Sequence, residues 1–160
     1  MNASRRSTLI AIALVCLGLL GFALYLQIVR GMLPCPLCIL QRYAFLAVAI
    51  FCLVGAFLNP LAARLAGALG LLAALTGAGV AIRHLWVQAH PNISCGIDPL
   101  ETSLNAIFPA KLLPQLFQAD GLCSAPYEPI LGLSIPQWSL LWFVLMIVLL
   151  ARLLLKKAPA

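Results

Sequence analysis

The run LIAIALVCLGLLGFALYLQIV, Leu9–Val29, carries no charge and is bounded by Arg5 and Arg6 before it and by Arg30 after it. About 20 residues of helix cross a hydrocarbon layer, so the run is long enough to span a membrane. It is too long for the apolar core of a cleaved signal peptide, and no small-x-small site closes it. Ser4-Arg5-Arg6 is at most a faint trace of a twin-arginine signal. Three more charge-free stretches follow, Tyr43–Leu58, which crosses only with help from its flanks, Leu65–Ile82 and Gln137–Ala151. Without water to satisfy backbone N–H and C=O groups, helices are the expected form, and no alternating run points to a barrel strand. The reading is an all-α membrane protein, a four-transmembrane-helix bundle with spans at about 9–29, 39–58, 65–82 and 137–155. Residues 1–160 then make a single membrane domain with two outward loops, at about 30–38 and 83–136.

Composition agrees. The chain is 64% hydrophobic and 9% charged, whereas a soluble chain is about half apolar and about a quarter charged. That hydrophobicity excludes disorder. The net charge of +6 does not point to nucleic acid, because the basic residues stand singly or in pairs and form no basic face. They sort by side instead. If the termini and the Asn59-Pro60 turn share one side, it holds Arg5, Arg6, Arg64, Arg152, Lys156 and Lys157 and nets +6. The other side holds Arg30, Arg42, Arg83 and Lys111 with Asp98, Glu101, Asp120 and Glu128, and nets zero. Six basic residues against four place the termini in the cytoplasm. Ala66, Gly70, Ala74 and Ala78 recur every fourth residue in the third span, a stripe that lets a neighbouring helix approach closely.

The six cysteines divide accordingly. Cys16 and Cys52 fall inside spans, where a thiol is a small hydrophobe. Cys35, Cys38, Cys95 and Cys123 fall on the outward side, an oxidising compartment in this orientation. Four cysteines allow three pairings; Cys35 and Cys38 are the ready local pair, leaving Cys95 with Cys123. A disulfide closing so small a ring gains little from loop entropy, so Cys35–Cys38 is a poor staple. Pro34 and Pro36 prepare a helix start, whose amides stabilise negative charge on Cys38. Arg42, one turn later on the same face, adds a cation that can also hold an electron-rich carbonyl compound; its bland alternative is a snorkelling interfacial anchor. A zinc centre drawing on Cys35, Cys38, Cys95, Cys123, His84 or His90 is disfavoured, because only one half has knuckle spacing. The second outward loop holds six prolines and all four acidic residues. In it Leu112, Leu113, Leu116 and Phe117 beside Lys111 suggest a short amphipathic helix, lying on the membrane surface or packed on the bundle.

Two motifs now carry a resemblance: Pro34-Cys35-Pro36-Leu37-Cys38-Ile39-Leu40-Gln41-Arg42, and Gly132-Leu133-Ser134-Ile135-Pro136-Gln137-Trp138 leading into the last span. With the topology, they resemble the disulfide bond formation protein B (DsbB) family of bacterial inner-membrane thiol:quinone oxidoreductases. Its relay to quinone is an established source of periplasmic oxidising power. The resemblance extends over nearly the whole chain. It implies that Cys35 and Cys38 are the quinone-side pair, and Cys95 and Cys123 the pair facing a periplasmic DsbA-like thioredoxin-fold protein. It implies a quinone cofactor, ubiquinone or, under low oxygen, menaquinone, near Arg42 and His84, and neither metal nor nucleic acid. The partner would receive Ile93 to Pro99 across its own active site.

His84 matches a histidine of the family near the quinone; its alternative is a solvated helix-end residue beside Arg83. His90 has no assigned role, and Tyr43 and Trp138 also fit interfacial belts. Pro36 departs from the family pattern and stiffens the turn between the cysteines. Two other classes compete. A carrier of reducing equivalents needs a dithiol reachable from the cytoplasm, which Cys16 and Cys52, in different spans, do not supply. A scaffold whose disulfides only staple loops would be redox-inert.

Overall fold

A computed structural model describes residues 3–90, 99–123, 127 and 129–155. Four long helices, α1 (Ala3–Arg30), α2 (Pro36–Phe57), α3 (Pro60–Ala89) and α7 (Ile135–Leu155), form the bundle. All four are long and apolar enough to cross a membrane. Between α3 and α7 lie three short helices, α4 (Pro99–Ala106), α5 (Phe108–Leu112) and α6 (Pro114–Phe117). The architecture is the all-α four-helix membrane bundle that hydropathy predicts.

The helix starts follow from local chemistry. Cys35 caps α2, its sulfur accepting from the Cys38 amide at 3.3 Å, with Pro36 at the first helical position. Asn59 caps α3 in the same way, its side chain accepting from the Ala62 amide at 2.9 Å ahead of Pro60. At α7 the Gln137 side chain reaches back to the Ser134 amide at 2.7 Å, half of a capping box. Before it, Leu131 and Gly132 take φ of 52° and 83° in a tight turn between Ile130 and Leu133. Trp138 closes this turn, its indole N–H donating to the Ile130 carbonyl at 2.8 Å.

Neighbouring helices pack in the order α1, α2, α3, α7. The core joins Ile12 and Cys16 of α1, Phe45, Val48 and Cys52 of α2, Ala74 and Ala78 of α3, and Phe143 and Met146 of α7. Cys16 and Cys52 are fully buried there, and the Cys16 thiol meets the Met146 sulfur at 3.3 Å. The small-residue stripe is buried at all four positions. Gly77 on the same helix takes the close approach: a side chain there would strike the Phe143 ring, which stacks on Phe45 at 4.0 Å. Leu14, Leu17, Ile50, Leu65, Leu72 and Leu145 remain exposed, as expected of a lipid-facing surface. Arg6 stands over the Phe57 ring at 4.8 Å, so the start of α1 adjoins the end of α2.

Three boundaries are corrected. Helix α2 begins at Pro36 rather than near residue 39, because the proline supplies a ready first turn. Helix α3 runs to Ala89, so Arg83 and His84 lie within it rather than opening a loop. A charge marks the edge of the apolar layer, and the helix itself continues until the sequence reaches Pro91. The segment from Lys111 to Phe117 is not one amphipathic helix but is broken at Leu113, where Pro114 cannot continue α5. Its apolar residues diverge: Leu112 and Leu113 are exposed, while Phe117 is buried and stacks on Tyr43 at 4.4 Å. Tyr43, which also fits an interfacial belt, buries its hydroxyl with no hydrogen-bond partner among the described residues.

Candidate active site

The site is built on the first turn of α2. Capping by Cys35 brings its sulfur to 3.1 Å from that of Cys38, as a hydrogen-bonded thiol pair in which Cys35 donates. Helix α3 contributes His84, only 3% exposed, with Nε2 at 3.7 Å from the Cys35 sulfur. The Gln41 side-chain nitrogen lies 3.2 Å from Nδ1 of the same ring. An amide donating to Nδ1 leaves the proton of a neutral imidazole on Nε2, facing the sulfur.

The second loop closes on this pair from the other side. Asn105 clasps the backbone of Ala119 through both its amide atoms, at 2.8 and 3.0 Å. The next two amides, of Asp120 and Gly121, both donate to the Pro34 carbonyl at 3.0 Å. Cys123 is thereby delivered onto Cys35, with the two thiols in hydrogen-bond contact and Leu37 and Val87 packed around them. His84 also hydrogen-bonds the Cys123 backbone. The contacts with Cys123 and Cys38, together with burial, push the Cys35 thiol well above the usual cysteine range, so it holds its proton.

Arg42 stands one turn below Cys38 and is buried. Its Nη1 donates to the Gln27 side chain at 2.8 Å and to the Leu116 carbonyl at 2.9 Å. A snorkelling anchor would reach for water; this guanidinium instead ties α1 and α6 to α2, with no carboxylate partner among the described residues. Cys38, Arg42 and His84 line one end of a cavity of about 300 Å³. Most of its remaining lining is apolar, including Leu20, Ala23 and Leu26 of α1 and Trp138 and Trp142 of α7, with Gln88 and Ser139 among the polar exceptions. The cavity is lined from both α1 and α7, the two helices whose Cys16 and Met146 sulfurs also meet in the core.

The family model of disulfide bond formation protein DsbB matches residues 5–153. A disulfide bond formation protein B from Herminiimonas arsenicoxydans is 63% identical over 139 residues, 87% of this chain and 88% of that one. One from Cupriavidus necator is 48% identical over 94% of this chain and 93% of its own. A disulfide bond formation protein B 1 from Pseudomonas fluorescens is 48% identical over 90% and 86%. The chain belongs to the DsbB family. As a DsbB-type protein it is a multi-pass inner-membrane protein with an oxidoreductase role in disulfide bond formation in the cell envelope.

Of the DsbB residues read from sequence, Cys35, Cys38, Cys123, Arg42 and His84 gather at one end of the bundle. Cys95 and nearly all of the segment Ile93 to Pro99 lie outside the described residues. His90 takes no part; it stacks on Trp86 with ring centroids 4.7 Å apart. The solvated reading of His84 gives way to a buried one. Sequence reasoning missed Gln27, Gln41, Asn105 and Gly121. Gln27 and Gln41 carried a signal, as polar residues inside apolar spans, although not the identity of their partners.

Proposed function

We propose that this chain reoxidises a periplasmic DsbA-like dithiol oxidase and passes the electrons to membrane quinone, with both termini in the cytoplasm and the cysteine end in the periplasm. The observation that carries the reading is a continuous path: Cys123 against Cys35, Cys35 against Cys38, and Cys38 beside Arg42 at the cavity. Disulfides Cys35–Cys38 and Cys95–Cys123 are its resting state.

A thiolate of the reduced partner attacks Cys95, forming a mixed disulfide and releasing Cys123. Cys123 attacks Cys35, breaking the Cys35–Cys38 bond, and the electron pair leaves with Cys38. The amides of the first turn of α2 and the cation of Arg42 stabilise that charge. Flat apolar walls, two indoles and a buried guanidinium fit a quinone head group. When bound, quinone supplies the two-electron acceptor. The partner's second thiol then attacks the mixed disulfide and frees Cys95, which attacks the Cys123–Cys35 bond and frees Cys35. As Cys35–Cys38 reforms, two electrons and two protons pass to the acceptor, the partner leaves as a disulfide, and both pairs in this chain are again disulfides.

The test is quinone reduction by the purified protein with a panel of reduced thioredoxin-fold proteins. Cys38→Ser is expected to abolish it, and undiminished turnover would sink the quinone-side assignment. Cys123→Ser is expected to trap a partner adduct through Cys95, visible on a non-reducing gel.

A further inference from the structure

We infer that Gly121 is a positioning residue that seats the second loop on the first, setting the effective concentration at which Cys123 meets Cys35. The inference deepens the proposed exchange and rests on it. Three observations converge on the same few residues. The amides of Asp120 and Gly121 share the Pro34 carbonyl, immediately before Cys35. The Tyr127 hydroxyl, beyond Cys123, donates to the Leu33 carbonyl at 3.1 Å. Between these anchors Gly121 passes so close to the first loop that a Cβ would overlap the Leu33 carbonyl oxygen and stand 2.9 Å from its carbon.

The obstacle is backbone, which cannot rotate aside as a side chain can. Any residue but glycine must therefore lift the loop from Pro34. Cys123 is two residues away, within about 7 Å of chain, so lifting Gly121 draws its sulfur off Cys35. The step governed is a single exchange: the Cys123–Cys35 bond forms, the Cys35–Cys38 bond breaks, and the electron pair passes to Cys38. Gly121 touches none of these atoms, and its effect is on geometry alone.

The experiment uses the full-length protein in detergent with Cys38→Ser and Cys95→Ser, which leaves Cys35 and Cys123 to pair. The equilibrium of that disulfide against glutathione, read by mass spectrometry, gives the effective concentration of one thiol at the other. Displacement by about an ångström costs on the order of 100-fold in such a reaction, so Gly121→Ala is expected to lower the value by about that factor. Asp120→Ala, which keeps its backbone amide, is expected to leave it within about 3-fold, since the side chain makes only an exposed contact with Gln118. A Gly121→Ala value within 3-fold of the parent would overturn the inference. If Gly121→Ala does not accumulate, Tyr127→Phe decides: losing one hydrogen bond is expected to cost about 2- to 10-fold, and no loss overturns it.

With all cysteines present, Gly121→Ala is expected to reduce turnover on a reduced thioredoxin-fold protein while its adduct through Cys95 accumulates. Unchanged turnover without adduct is the opposing result. Should the parent protein reduce no quinone at all, the proposed function fails, and the glutathione equilibrium still judges Gly121.

Discussion

Gln41 illustrates how much one side chain decides here. It lies between two residues with evident chemistry, Cys38 and Arg42, yet its contact is with His84 on another helix. By occupying Nδ1 it directs Nε2 at Cys35, whose thiol, pressed between two others, holds its proton. A thiol titrating above its ordinary range is deprotonated only at higher pH. In the reduced protein the alkylation rate at Cys35 is therefore expected to keep rising through the pH at which an unperturbed cysteine, titrating near 8.5, has levelled off. Peptide mapping after timed iodoacetamide pulses checks this, and a plateau at the ordinary pH would mean that the three thiols do not share protons. Arg42 makes a second prediction. Its cation has two protein acceptors and no carboxylate among the described residues, so Arg42→His is expected to raise the quinone KM by about tenfold or more, the worth of a charged hydrogen bond. A soluble quinone analogue makes the measurement, and an unchanged KM would leave Arg42 the role of joining α1 to α6.

At the level of elements, what could be read depended on how local its cause was. The four spans were legible because hydropathy is summed along the chain. The start of α2 was legible because Pro34 and Pro36 act on the neighbouring turn, whereas the cap bonds of Cys35 and Asn59 became evident only in the structure. Helix ends were less so: Arg83 marked the edge of the apolar run, while α3 continues to Ala89 and carries His84 under the cysteine pair. The break at Leu113 was written in Pro114, but four apolar residues in seven outweighed it. Asn105 and Gly121 were illegible, as was the partner of Gln41, since their meaning lies in residues distant along the chain. Gly77 belongs with them. It lets α7 lie on α3 because Phe143 occupies the space of a side chain. Overpacking at such a site costs about 1–3 kcal/mol. Gly77→Val is expected to lower thermal stability in detergent, whereas Gly79→Ala, with open space around it, is expected to change little. Equal losses for the two variants would show that helix propensity, and not the Phe143 contact, governs this region.

For the whole molecule the decisive quantity is the distribution of fourteen charges. Ten of the fourteen are basic, and their split of six against four favours the termini as the cytoplasmic end. The cysteines add a chemical constraint. In the proposed exchange a soluble dithiol partner meets Cys95 in an oxidising compartment, while Cys38 stays at the bilayer edge where a lipid-soluble acceptor arrives. That proposal and the charge count call for the same orientation. Two exposed positions report it. Leu61 lies at the start of α3, 72% exposed, and Leu131 lies at the tip of the turn before α7, 88% exposed. With the native outward cysteines oxidised, Leu131→Cys is expected to react with a membrane-impermeant maleimide in right-side-out vesicles, and Leu61→Cys only in inverted ones. The reverse pattern would put the cysteine pairs on the reducing side and remove the basis for an oxidase, because thiols there are held reduced.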